Sequence, residues 1–197
     1  AAEVTRFKMG DITAVKAPAL REIKKGRVRK HIITLLVRNE LGVLARIATL
    51  IAGKGYNIEG LSVGETHEKG LSRMTIEVIG DDVVIDQVVK QLRKLIDTIK
   101  VRDLTDMPHV ERELALIKIH TSTPRARDEI LRITEIFRGR IVDISQSTYT
   151  VEITGTEDKI NAFVELVRPF GIMEMARTGK VALKREMAST EEEQPWK

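Results

Sequence analysis

Three residues stand out as able to hold a small molecule: Asn39, Gly42 and Asn57. Asn39-Glu40-Leu41-Gly42 lies where an apolar run turns into a helical stripe, and Asn57 follows that stripe. Glycine at a helix start lets a ligand approach backbone N–H groups, which attract an anion such as a carboxylate. Asparagine carries a donor and an acceptor, so it can take either end of a zwitterion. Each residue also has a plainer use. Gly42 can serve the turn alone, Asn39 can cap the helix, and Asn57 can shape a turn.

No catalytic constellation accompanies them. His31, His67, His109 and His120 are scattered and lack carboxylates at metal-ligand spacing. There are no cysteines, which excludes disulfides, zinc thiolates and cysteine nucleophiles. No GxSxG, Walker A or GxGxxG motif occurs, and Gly53-Lys54-Gly55 reads as a helix stop. Asp81-Asp82 sits at a helix start, a poor place for a carboxyl of raised pKa. The chemistry on offer is binding and regulation.

The elements that must position these residues come in two copies. Residues 31–105 and 111–186 both read strand, helix, strand, strand, helix, strand. Thr75-Ile76-Glu77-Val78-Ile79-Gly80 recurs as Thr150-Val151-Glu152-Ile153-Thr154-Gly155. In the first copy, His31–Val37 is a β-branched apolar run, and Val43, Leu44, Ile47, Ala48 and Ile51 follow helical spacing. Asn57–Val63 and the alternating stretch around Met74, Ile76 and Val78 predict a hairpin turning at Thr66–Gly70. Ile85, Val88, Val89, Leu92 and Ile96 predict a second helix, and Ile99–Leu104 a fourth strand. Asp106–His109 reads as a linker. The second copy predicts strands over Leu114–His120, Ile141–Ser145, Tyr149–Thr154 and Ile172–Lys184, with helices opening at Pro124 and lined by Ile160, Phe163, Val164 and Val167. The fold class is α+β: two tandem ferredoxin-like βαββαβ domains, 31–106 and 111–186. The copies differ in their loops. Thr123-Pro124-Arg125 and Arg140 stand where the first copy has its Asn-x-x-Gly turn and Asn57, so the first copy is expected to sense a ligand and the second to transmit the signal or hold a partner.

Charge adds a basic arm. The net charge is +4, and residues 1–30 hold nine Lys/Arg against three Asp/Glu, or +6, leaving −2 for the remainder. The arm reads as a solvated leader, and residues 187–197 as an acidic tail. No apolar run approaches about 18 residues and no signal-peptide pattern opens the chain, so no membrane partner and a cytoplasmic setting are expected. An RNA-binding βαββαβ fold would need aromatic residues on its sheet, and 31–37 and 73–79 have none. No nucleic-acid partner is expected.

Asn39-Glu-Leu-Gly42-Val-Leu44, Gly55-Tyr-Asn-Ile58, Leu71-Ser-Arg-Met-Thr-Ile76, His109-Val-Glu-Arg-Glu113 and Thr134-Glu-Ile-Phe-Arg138 occur in that order across 31–186. Together they closely resemble the small regulatory subunits of acetolactate (acetohydroxyacid) synthase. The resemblance implies that the first copy is an ACT domain, a module that senses amino acids, and that such domains pair edge to edge as a homodimer with the ligand between them. It implies valine, or another branched-chain amino acid, as that ligand. The implied binding residues are Asn39, Gly42 and Asn57, with Leu41, Val43, Leu44 and Ile58 beside them. It further implies a separate large catalytic subunit carrying thiamine diphosphate, magnesium and FAD, which this chain activates and places under feedback inhibition, with no cofactor on this chain. The alternative is an ACT-type regulator of a different enzyme or of transcription. Residues 1–30 depart from the family's compact pattern and receive no role.

Overall fold

The alternation of Met74, Ile76 and Val78 with Arg73, Thr75 and Glu77 does what period two requires. The first set is buried in a core beneath two helices, and the second faces the other side of the sheet. In the computed structural model, residues 27–185 are described. The first unit comprises β1 (Val28–Arg38), α1 (Val43–Ala52), β2 (Ile58–Glu65), β3 (Leu71–Asp81), α2 (Asp82–Leu92) and β4 (Thr98–Asp103). The strands form an antiparallel sheet ordered β2-β3-β1-β4. The second unit comprises β5 (His109–His120), α3 (Pro124–Ile136), β6 (Arg140–Ile144), β7 (Thr148–Gly155), α4 (Glu157–Val167), β8 (Ile172–Arg177) and β9 (Val181–Lys184). Its sheet runs β6-β7-β5-β8, with β9 pairing the first part of β5. This is the tandem ferredoxin-like α+β architecture.

Each unit has its own core. Ile33, Leu35 and Val37 of β1 meet Ile47 and Ile51 of α1 and Ile85, Val88 and Leu92 of α2. Ala115, Ile117 and Ile119 of β5 meet Ile130 of α3 and Phe163 of α4, whose ring packs edge-on to Phe137 at 5.5 Å. Helix starts follow local chemistry. The Asp81 carboxylate accepts from Val83 N–H at 2.8 Å, and the Thr123 hydroxyl from Ala126 N–H at 3.2 Å.

Four details depart from the sequence reading. The first strand begins at Val28, so Arg29 and Lys30, counted with the arm, belong to the fold: Arg29 binds Asp82 and Asp106, and Lys30 binds Glu157. Helix α2 stops at Leu92, and Ile96, placed on its stripe, is 87% exposed. His109, assigned to the linker, starts β5, because Val110–Arg112 find partners in β9. The last strand is broken at Thr178-Gly179-Lys180 into β8 and β9. Residues 1–26 and 186–197, including most of the basic arm and the acidic tail, lie outside the described residues.

The two units touch through these additions. Ala182 of β9 packs with Ile32 of β1 and Leu104 on the sheet face opposite the helices.

Candidate functional site

Gly42 caps α1 in the left-handed region, with φ 82° and ψ −4°, where a side chain is strained. No side chain caps the helix. Val43 N–H reaches Glu40 O at 3.4 Å and Arg46 N–H reaches Gly42 O at 2.9 Å. The first turn therefore presents backbone donors beside a residue without a Cβ, the combination that accepts a carboxylate. Asn39 is not the cap. Its amide donates to Glu65 Oε1 at 2.6 Å, and its N–H to Gly70 O at 2.7 Å. Leu41 is 98% exposed and Leu44 is half-exposed, so apolar surface surrounds the turn, while Val43 is buried in the core.

Asn57 lies elsewhere. Its amide donates to Glu59 Oε1 at 3.1 Å and is exposed. Ile58, next to it, is level with Val78 of β3, while Glu65 at the far end of β2 is level with Ser72. Asn39 touches that far end through Glu65. Ten residues of α1 separate Gly42 from Asn57, about 15 Å of helix rise. One chain therefore does not bring Asn57 and Ile58 together with Asn39, Leu41, Gly42 and Leu44. The reason is the βαβ path: α1 returns the chain to the opposite end of the sheet before β2 begins.

Several neighbours were not legible beforehand. Arg46 Nη2 donates to Asp97 Oδ2 at 2.5 Å, and Arg46 Nη1 stands 3.5 Å from where a Cβ on Gly42 would lie. The i,i+4 spacing of Gly42 and Arg46 was a usable signal. Nothing in the sequence announced Asp97, which arrives through the loop before β4. A cavity of about 500 Å3 lies on the other sheet face, lined by Leu36, Ser62, Arg73, Val181 and Leu183, and is separate from the Gly42 turn. Among the described residues, no group of His, Asp and Glu could hold a metal ion, and no helix is long and apolar enough to cross a membrane.

A ferredoxin-like sheet with a glycine-started helix and β2 at its edge defines an ACT-type module, here followed by a second unit of the same build. Residues 33–100 match the family described as the AHAS small subunit-like ACT domain, and residues 112–186 that described as the small subunit of acetolactate synthase. The acetolactate synthase small subunit of Aquifex aeolicus is 78% identical over 89% of this chain and 92% of its own length. The isozyme 3 small subunit of Escherichia coli is 46% identical over 79% of this chain and 96% of its own. The crystal structure of the acetolactate synthase small subunit of Thermotoga maritima, 42% identical, superposes with a TM-score of 0.74 over 81% of this chain and 99% of that one. The chain belongs to the acetolactate synthase small-subunit family. These relatives are named as small subunits of the enzyme, not as its catalytic subunit.

Proposed function

We propose that this chain is the amino-acid sensor of an acetolactate synthase, binding valine or another branched-chain amino acid between two copies of its first unit. The observation that carries this reading is the separation of the two halves of the site. Strand β2 is a sheet edge, and among the described residues no strand pairs its outer side. A second copy placed along it about a two-fold axis runs antiparallel, so the Asn57 end of one β2 meets the Asn39 and Glu65 end of the other. The ligand carboxylate then lies on the α1 donors at Gly42 of one copy, with Asn57 and Ile58 supplied by the partner copy. Leu41 and Leu44 flank the apolar side chain. The ligand is a small amino acid because the donors are few and close to the backbone.

Membership of the family supports the remainder of the reading. The sensor acts on a large catalytic subunit that carries the thiamine diphosphate, magnesium and FAD. It raises that subunit's activity and lowers it when the amino acid is bound. The first unit holds the effector, and the second conveys its presence or holds the catalytic partner.

Mixed dimers test the shared site. Gly42→Asp and Asn57→Ala chains each bind valine more weakly than wild type by calorimetry. A site shared across the interface regains one intact copy in a heterodimer of the two, so about half the valine uptake returns. A site within one chain regains none, and that result rejects the reading.

A further inference from the structure

In the turn that breaks the last strand, Thr178 is exposed, but Gly179 and Lys180 turn toward the first unit. Gly179 has φ +73°, and a Cβ there would lie 3.2 Å from Leu61 N and O in β2, so the second unit's backbone rests directly on that strand. Ser62 of β2 donates its hydroxyl hydrogen to Lys180 O at 2.7 Å. Lys180 N–H points to Glu77 Oε1 at 3.4 Å, and Ala182 N–H to Thr75 Oγ1 at 3.4 Å. The Lys180 ammonium then collects three carboxylates, Glu157 at 3.0 Å, Glu111 at 3.3 Å and Glu77 at 3.5 Å. Lys30 completes the group, 2.7 Å from Glu157 and 3.6 Å from Glu77. The Lys180 and Glu77 side chains are 8% and 7% exposed.

These contacts have one geometrical property in common. They join β2 and β3 of the first unit to β5, α4 and the β8–β9 turn of the second. Leu61 and Ser62 lie on β2, four and five residues past Asn57, which immediately precedes the strand. The β2–β3 ladder slips register between Ile58 and Gly60, so the irregular start of the strand lies directly after Asn57. A bulged edge strand has little of its own to fix its height, and the second unit grips it just beyond the irregularity.

We propose that Gly179 and Lys180 are positioning residues for the effector site: seated on Leu61, Ser62 and Glu77, they set where β2 presents Asn57 to the partner copy. The second unit thereby acts on effector affinity through β2 without touching the ligand. The inference rests on the reading that the effector lies between paired β2 edges.

The test uses the full chain with its catalytic subunit. Lys180→Met, Lys180→Arg and Ser62→Ala are compared with wild type for valine affinity by calorimetry, for activation without valine, and for melting temperature. Lys180→Met should weaken valine binding by about five- to tenfold, the lower range of coupling between linked sites, with activation retained. Lys180→Arg should restore most of the affinity. Ser62→Ala removes only the hydroxyl donor to the turn and should weaken binding two- to threefold, on the order of one modest hydrogen bond; it carries the test if Lys180→Met does not fold. Combined with Asn57→Ala, the Lys180→Met effect should shrink, because a misplaced side chain that is already absent loses nothing more. Full additivity, or unchanged affinity in both Lys180→Met and Ser62→Ala, overturns the proposal while Asn57→Ala still weakens binding. A wild-type chain that takes up no branched-chain amino acid overturns the functional reading and this inference with it.

Discussion

Arg46 lies between Gly42 and Asp97: one guanidinium nitrogen is 2.5 Å from the Asp97 carboxylate, and the other is 3.5 Å from the missing Cβ of Gly42. This arrangement places a cation directly under the turn proposed to take the ligand carboxylate.

Gly42→Asp should weaken the valine response with activation retained, because the new carboxylate meets that of the ligand. Like charges about 4 Å apart at an effective dielectric near 20 repel by about 4 kcal/mol, roughly three decades of affinity. Arg46 offsets part of this by pairing with the new carboxylate, so the expected loss is smaller, about ten- to a hundredfold. The left-handed φ adds strain of about 1–2 kcal/mol for a side chain, visible as a lower melting temperature. Gly42→Ala carries the strain without the charge and separates the two effects in the same valine titration of acetolactate synthesis.

Asn57→Ala should leave the fold alone. The side chain is exposed and among the described residues bonds Glu59 alone, so stability should stay within about 0.5 kcal/mol. Valine affinity should fall by about 0.5–1.5 kcal/mol, the worth of a hydrogen bond. Denaturation and calorimetry on one preparation check both, and an unchanged affinity would remove Asn57 from the site.

The ion group at Lys180 gives the stability a defined pH profile. Lys30, then Lys180, holds the Glu157 carboxyl below the ordinary glutamate value against the opposing effect of burial. Its contribution is fully present above the unfolded pKa of about 4.3 and is lost as pH falls through the depressed folded value. Burial alone would lower the Lys180 pKa, but Glu157, Glu111 and Glu77 together outweigh it and raise it. That contribution is fully present below the unfolded lysine value of about 10.4 and is lost as pH rises through the folded one. As pH falls from 7 to 3, urea midpoints should decline less steeply in Glu157→Gln than in wild type. Parallel curves would mean that Glu157 is not linked to folding.

Leu104 is fully buried against Ile32 and Ala182 of the second unit. Leu104→Ala should cost about 2–5 kcal/mol, read from urea unfolding. The same contact bears on deletion of 107–197. That cut strips β9 and the start of β5 from the first sheet, uncovering Ile32, Leu104 and Glu77. The remaining 1–106 should melt lower than the full chain, so its loss of valine binding would not locate the site.

The duplication, the two helical stripes of each copy, the Asp81 cap and the alternation of β3 were legible because period and capping are properties of near neighbours in the chain. Gly42 and Asn57 were legible as residue types suited to a zwitterion. Their relation was not, because the direction in which α1 returns decides it, and that puts Asn57 at the opposite end of the sheet. Ile96 follows the α2 stripe by spacing, yet the helix stops at Leu92, so the last apolar position lies in the loop leading to β4. The run from Ile172 to Lys184 looks like one strand, since Thr178-Gly179-Lys180 is short. It breaks because β9 leaves its own sheet to bury Ala182 against the first unit. Lys180 and Glu77 are 103 residues apart, and no local pattern pairs them. Only the packing of one unit on the other brings a lysine to three carboxylates and makes them stable together out of water.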